Sequence, residues 1–338
     1  MLWLILLFFI VSSCTSEKSD INVFAEKCYI NEYDSIYSDV NDVLSSVTDL
    51  DVIDDVVIFK HREDEYNFSF IETKTGKLLT KWARVGNGPN EFIQLGAGFT
   101  VVDSTLVFLD IAKKKINIVE INDILRNDVK QIKQISYPYT REFRPMRFTL
   151  VDDLIYFLGS FEDGRLGGMN LSSDSIFMFS DFRFDCTEVP QMYRGVVYQG
   201  LLKGNNKRKK FVCMTYSSDL FEIYSYIGGN IERTFSYPHR EEPKVAHVDN
   251  RFLSDYENSI VGLKKMSVSD DLICFMYSPL KNVDDSGLSD EILCFDWEGN
   301  KVKKYILPFP IKDFCVSKEY IYGIRYVQED LVLYRFRL

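Results

Sequence analysis

The sequence predicts an all-β chain: a six-bladed β-propeller of four-stranded antiparallel blades, closed by pairing an N-terminal strand with the last blade. Three observations carry that reading. A module of apolar strand, acidic or polar turn and strongly β-forming strand recurs at residues 52–59, 101–109, 150–158, 268–275 and 316–323. The turn positions Asp54, Asp103 and Asp152 are 49 residues apart, and Asp270 and Lys318 are 48 apart. Tyr and Phe are abundant, 20 and 26 residues, a bias suited to pleated, half-buried strands. Four antiparallel strands per repeat of about 40–50 residues is the pattern of a propeller blade.

The elements follow in order. Residues 1–10 are almost wholly apolar and lead into Val11-Ser12-Ser13-Cys14. That run is shorter than the roughly 20 residues a membrane-spanning helix needs, and suits the apolar core of a signal peptide. Small residues directly before Cys14 resemble a bacterial lipobox, although the leader carries no Lys or Arg. The expectation is a lipoprotein-type signal over 1–13, a lipid on Cys14, a polar tether over 14–20 and a propeller over 21–338. The first blade continues with strands over 66–72 and 78–84, joined through Gly76. Residues 209–216, 219–227 and 231–237 form a degenerate fourth copy. In the fifth, strands over 291–296 and 301–307 join through Gly299. Both glycines stand where a hairpin calls for positive φ. The last copy shows three strands, 311–316, 320–326 and 331–336, so residues 21–30 are expected to supply its fourth and close the ring. A turn or two of helix is expected within 41–46 and 254–262.

The formal net charge of −10 argues against nucleic acid as a partner, since phosphates call for a basic face. The run 203–210, with Lys203, Lys207, Arg208, Lys209 and Lys210, reads as an exposed hairpin rather than a polyanion site. The seven cysteines form no C-x-x-C pair, and most sit in apolar runs as small buried residues. A Cys274–Cys294 disulfide stays open for an exported chain.

Between the first two blades lies Arg84-Val-Gly86-Asn-Gly88-Pro89-Asn-Glu91-Phe92. Its glycines permit backbone angles closed to other residues, Pro89 ends strand pairing, and Glu91 is placed to accept hydrogen bonds from the turn's own N–H groups. No Gly-Lys-Ser/Thr follows, so it is no phosphate cradle, and its reading is structural. The stretch resembles the G-x-G-P-x-E-F signature of six-bladed β-propeller lipoproteins, the TolB-like and NHL-like propellers of Gram-negative envelopes. The resemblance implies architecture and an outer-membrane address more than an activity.

Chemistry is sparsely signalled. His61, His239 and His247 belong to no zinc motif, the acidic loop 284–291 lacks EF-hand spacing, and no nucleophile elbow appears. No metal or cofactor is therefore expected, and the lack of catalytic motifs favours a binding role over an enzyme. In a propeller the loops between blades surround one mouth of the channel. Three long connections rich in Arg and aromatics, 137–147 with Arg147 at its end, 186–199 and 237–252, are the expected ligand surface, with Arg141, Arg144, Tyr193, Arg194, Tyr198 and His239 as contacts. Arg suits carboxylates, and aromatic faces suit sugars or peptides. The function expected is an envelope-anchored module binding a peptide, glycan or partner protein on its channel face. The alternative is a carbohydrate-active hydrolase or lyase using channel-face carboxylates.

Overall fold

Six antiparallel blades of four strands, one of them extended by a fifth, parallel strand, stand around a common axis in the computed structural model of the chain. It describes residues 20–38, 47–62, 65–88, 90–227, 229–328 and 330–338; the expected signal peptide, Cys14, Pro89 and the helical turn of 41–46 lie outside them. Two strands precede the blades, β1 (Lys27–Tyr29) and β2 (Tyr33–Ser38). Blade one is β3 (Val47–Ile53), β4 (Val56–His61), β5 (Tyr66–Glu72) and β6 (Leu78–Arg84). Blade two is β7 (Thr100–Val102), β8 (Thr105–Asp110), β9 (Lys115–Glu120) and, after the short helix α1 (Ile121–Leu125), β10 (Lys133–Ser136). Blade three is β11 (Phe143–Val151), β12 (Leu154–Phe161), β13 (Leu166–Asn170) and β14 (Ile176–Phe179).

The helix α2 (Gln191–Val197) leads into blade four, β15 (Gly200–Asn205), β16 (Lys210–Thr215), β17 (Phe221–Ile227) and β18 (Asn230–Ser236). A separate hairpin, β19 (Val245–Val248) and β20 (Arg251–Ser254), precedes blade five. That blade is β21 (Ile260–Val268), β22 (Ile273–Lys281), β23 (Ser289–Phe295) and β24 (Lys301–Ile311). Blade six is β25 (Asp313–Val316), β26 (Tyr320–Val327) and β27 (Asp330–Arg337), completed by β2. The first strand of each blade lies innermost, and β25 packs back against β3 to close the ring.

The repeated acidic turns do what short polar side chains do well: Asp54, Asp103 and Asp152 take positive φ between β-strands. Gly76 and Gly299 take positive φ in the outer hairpins. Ring closure corrects one expectation. The fourth strand of blade six is β2, paired antiparallel with β27, not residues 21–30. Ile21 and Phe24 are instead buried in the wedge between blades four and five, and β1 runs parallel to β24 on the outer edge of blade five. Residues 255–259 form a single turn held by a hydrogen bond from Ser259 N–H to the Asp255 carbonyl (3.0 Å). The two short helices were not foreseen in the sequence.

Apolar burial is divided into wedges, one between each neighbouring pair of blades. Between blades three and four the wedge includes a fully buried Arg165, whose guanidinium donates to Glu222, itself bonded by Arg233 (3.0 Å). Within blade five Cys274 and Cys294 face each other across β22 and β23, unlinked, with sulfurs 2.8 Å apart.

At the mouth formed by the turns after the inner strands, the hairpin of blade four reaches across the axis. Lys203 meets Asp51 of the opposite blade one at 2.9 Å, both side chains largely buried. Asn206 donates to Asp103 of blade two (3.0 Å), Lys209 pairs with Asp152 of blade three (3.0 Å), and Lys207 and Arg208 pair with Asp270 and Asp271 of blade five (2.9 and 2.8 Å). The basic run is a hairpin, as read from sequence, but its charges are matched to the acidic turns of its neighbours.

Candidate ligand site at the channel mouth

The opposite mouth is open. A cavity of about 570 Å³ lies where the connections between blades arrive. Blade one contributes Asp49 from β3 and Lys60 and His61 from β4; blade three contributes Arg147, blade five Lys265 and blade six Asp313. Three of these residues follow irregularities in their inner strands. The registers of β3, β11 and β21 slip between Val47 and Asp49, Pro145 and Arg147, and Leu263 and Lys265. A bulge gives the strand an extra residue and re-aims the side chain beside it, a common device at sites on sheet edges.

The stretch 84–92 builds the lip of this cavity. Phe92 is buried against Trp82 and Phe108, and its N–H bonds the Arg84 carbonyl (2.9 Å). The Glu91 carboxylate accepts the Gly88 N–H (2.7 Å), and Lys113 donates to the Glu91 carbonyl (2.8 Å). The glycines serve a different purpose from the one expected. Neither adopts positive φ; a Cβ on Gly86 would stand 2.1 Å from the Glu91 carboxylate, so glycine makes room for the acid. Ala83 and Asn90 carry the positive φ instead. Clamped this way, the chain continues through Ile93 and Ala97 along the cavity wall.

Charge within the cavity is unevenly satisfied. Lys265 pairs with Asp313; burial works to lower the ammonium's pKa, the carboxylate more than offsets it, and Lys265 sits above its ordinary value. The Asp49 carboxylate accepts the backbone N–H groups of Leu50 (3.0 Å) and Phe99 (3.3 Å). His61 bonds the Ser69 hydroxyl (2.8 Å). Tyr216 is hydrogen-bonded to Arg147, and burial raises its phenol while the guanidinium pulls it back. Lys60 differs. It is only 7 % exposed, and its ammonium has no hydrogen-bond or ion-pair partner among the described residues. Burial lowers its pKa; Asp49 opposes the shift, and Arg147 and Arg62 add to it. The buried Nε of Arg147 is also without a partner.

None of the six ligand contacts expected from sequence lines this cavity. Arg141 and Arg144 are exposed on the loop before β11 and at its start, and Arg144 donates to the Thr140 carbonyl (3.3 Å). Arg194 is tied into its own helix by the Val189 carbonyl (2.8 Å) and Gln191 (2.7 Å), beside a separate cavity of about 530 Å³. Tyr193 packs on Phe252, and His239 meets Glu242 (3.1 Å) and the edge of Phe184. Tyr198 is buried, stacked on Phe184. Among the described residues no three His, Cys, Asp or Glu side chains gather as a metal site requires, and no helix is long and apolar enough to cross a membrane.

A family of TolB-like six-blade propellers matches residues 43–319. No curated protein matches the chain. Among solved structures, a protein described as exported from Bacteroides fragilis is similar at TM-score 0.56 and 13% identity, with 92% of this chain and 99% of that one covered. A member of the DUF4221 family from Bacteroides vulgatus is similar at TM-score 0.54 and 9% identity, with 91% and 97% covered. At such identities the likeness is one of fold.

Proposed function

We propose a function for a chain that belongs to the TolB-like six-bladed propeller family: it is a cell-envelope lipoprotein, anchored to the outer membrane through a lipid on Cys14, whose propeller binds a peptide, glycan or partner protein at the open channel mouth. The observation that carries this reading is the cavity itself. Its volume falls in the range of small-ligand sites, and its walls come from blades one, three, four, five and six and from the connection into blade two. The apolar leader before Cys14 supports the anchor, and the exported Bacteroides fragilis protein of the same fold accords with the address.

Ala97 is exposed on the cavity wall, so Ala97→Trp fills the mouth without entering an apolar wedge. Ligands captured from glycan and peptide arrays by the intact protein are expected to be lost in this variant. Capture that survives the tryptophan places binding elsewhere and ends the reading. Cys14→Ala is expected to move the protein from the membrane to the soluble fraction; retention through an uncleaved leader refutes the lipid anchor.

A hydrolase is the second reading, favoured by one observation: Asp49 and Asp313 line the same cavity. Both already have protein partners, which suits structural anchoring better than proton transfer. Release of reducing ends from envelope glycans, abolished by Asp49→Asn, would establish it.

A further inference from the structure

Resting on the channel mouth being the ligand site, we propose that the cavity recognises its ligand through one compact anionic group, a carboxylate or phosphate, lodged between Lys60 and Arg147. The argument is one of missing partners. A buried charge is retained in a fold when it is paired or hydrogen-bonded. Elsewhere along the axis that rule holds: Lys203 has Asp51, and Lys265 has Asp313. Lys60 breaks it: the residue is only 7 % exposed, it lines the cavity, and its ammonium has no partner among the described residues. Arg147 is close enough to repel it, and Arg147's own Nε–H is buried and unbonded. Two facing cations with spare donors are complementary to an anion with two or more acceptor oxygens.

The wider lining agrees. Lys60, Arg62, Arg147 and Lys265 stand against two carboxylates, Asp49 and Asp313, a cationic excess inside a protein of net charge −10. Asp49 acts on the Lys60 ammonium only through space and makes no ion pair with it; its oxygens accept the Leu50 and Phe99 N–H groups. A bound anion favours the charged form of Lys60 that burial disfavours, so its binding stabilises the fold.

The test is calorimetric titration of the intact protein in detergent with D-glucuronate, inorganic phosphate and neutral D-glucose, using wild type, Lys60→Met, Lys60→Arg and Ala97→Trp. Saturable binding of glucuronate or phosphate, with glucose much weaker, is expected; whichever anion binds more tightly identifies the group. Lys60→Met should weaken that binding at least tenfold and Lys60→Arg much less, while Lys60→Met melts no lower than wild type. Equal affinity of Lys60→Met for the anions, equal affinity for glucose, or no anion binding at all overturns the assignment. The underlying site reading fails separately. If glucose or an array ligand binds and Ala97→Trp blocks it while the anions do not bind, the cavity stands and the anion inference falls. Anion binding untouched by both Lys60→Met and Ala97→Trp removes both.

Discussion

The two mouths of the channel are built from the same inner strands and handle charge in opposite ways. At the closed mouth, five side chains from the blade-four hairpin each find a partner on another blade, across a cavity of only about 250 Å³. At the open mouth, in more than twice that volume, Lys60 is left alone and Arg147 keeps an unbonded donor. The difference separates stability from function. Paired charges at the closed end hold opposite blades in register; unpaired charges at the open end serve nothing within the fold, and a protein tolerates such groups chiefly where a ligand completes them.

The closed end also explains the degenerate fourth repeat. A ring of acidic turns built from Asp54, Asp103, Asp152 and Asp270 concentrates like charge around one rim. The blade whose turn reads Asn206-Lys207-Arg208-Lys209 neutralises it.

The largest effect is expected at the pair crossing the axis. Lys203→Met alone leaves Asp51 charged and confined, and should destabilise the protein by about 3–5 kcal/mol in urea unfolding. Adding Asp51→Leu should recover most of that loss, because a well-packed apolar pair replaces an ion pair at little net change. Lys60 should behave in the opposite sense. Without ligand, Lys60→Met is expected to stabilise by about 1–2 kcal/mol, the penalty of an unpartnered buried polar group.

That gain depends on pH. Because the folded-state pKa of Lys60 is lowered, the unfolded chain binds the extra proton between that value and the ordinary lysine value of about 10.4. Wild-type stability from this group therefore rises with pH across that window, and the advantage of Lys60→Met should shrink there. An advantage that stays constant with pH would show that the amine is already satisfied. The smallest effect belongs to the exposed pairs of the closed rim. Lys207→Ala and Lys209→Ala should each leave the melting temperature within measurement error, with any residual difference vanishing in high salt.

Much of the fold was legible because it is written in short-range terms. The Asp turns at 54, 103 and 152, the glycines at 76 and 299 and the alternation of the strands each encode a local conformation, and each appears where the pattern put it. Closure by the N-terminus was legible, but its strand was not: Ile21 and Phe24 look like strand residues and act as wedge residues, a distinction that only packing makes. The candidate site was mostly illegible. Loops rich in Arg and aromatics drew attention to Arg194 and Tyr198, which are absorbed by their own helix and core. Arg147 was legible as the end of the Arg-rich connection 137–147, but Asp49 and Lys265 were not: like Arg147 they follow slips in strand register, and register is a relation between strands that no single segment records. The available signal was a charge inside an apolar strand, as at Lys60 within Val56–His61.

The closing strand has a mechanical consequence. Residues 20–24 are held by Lys301 and Lys304, β1 lies along β24, and only then does β2 zip into blade six. If tension enters from the N-terminal side, it loads blade five first, by shearing a parallel pair, before it reaches the strand that locks the ring. β2 is made before every strand of the blades and yet is the last that blade six needs, so the ring stays unfinished until about 300 further residues have been made and folded beside it. A clasp placed there makes the circle late to form and keeps a pull on the N-terminal segment from reaching blade six first.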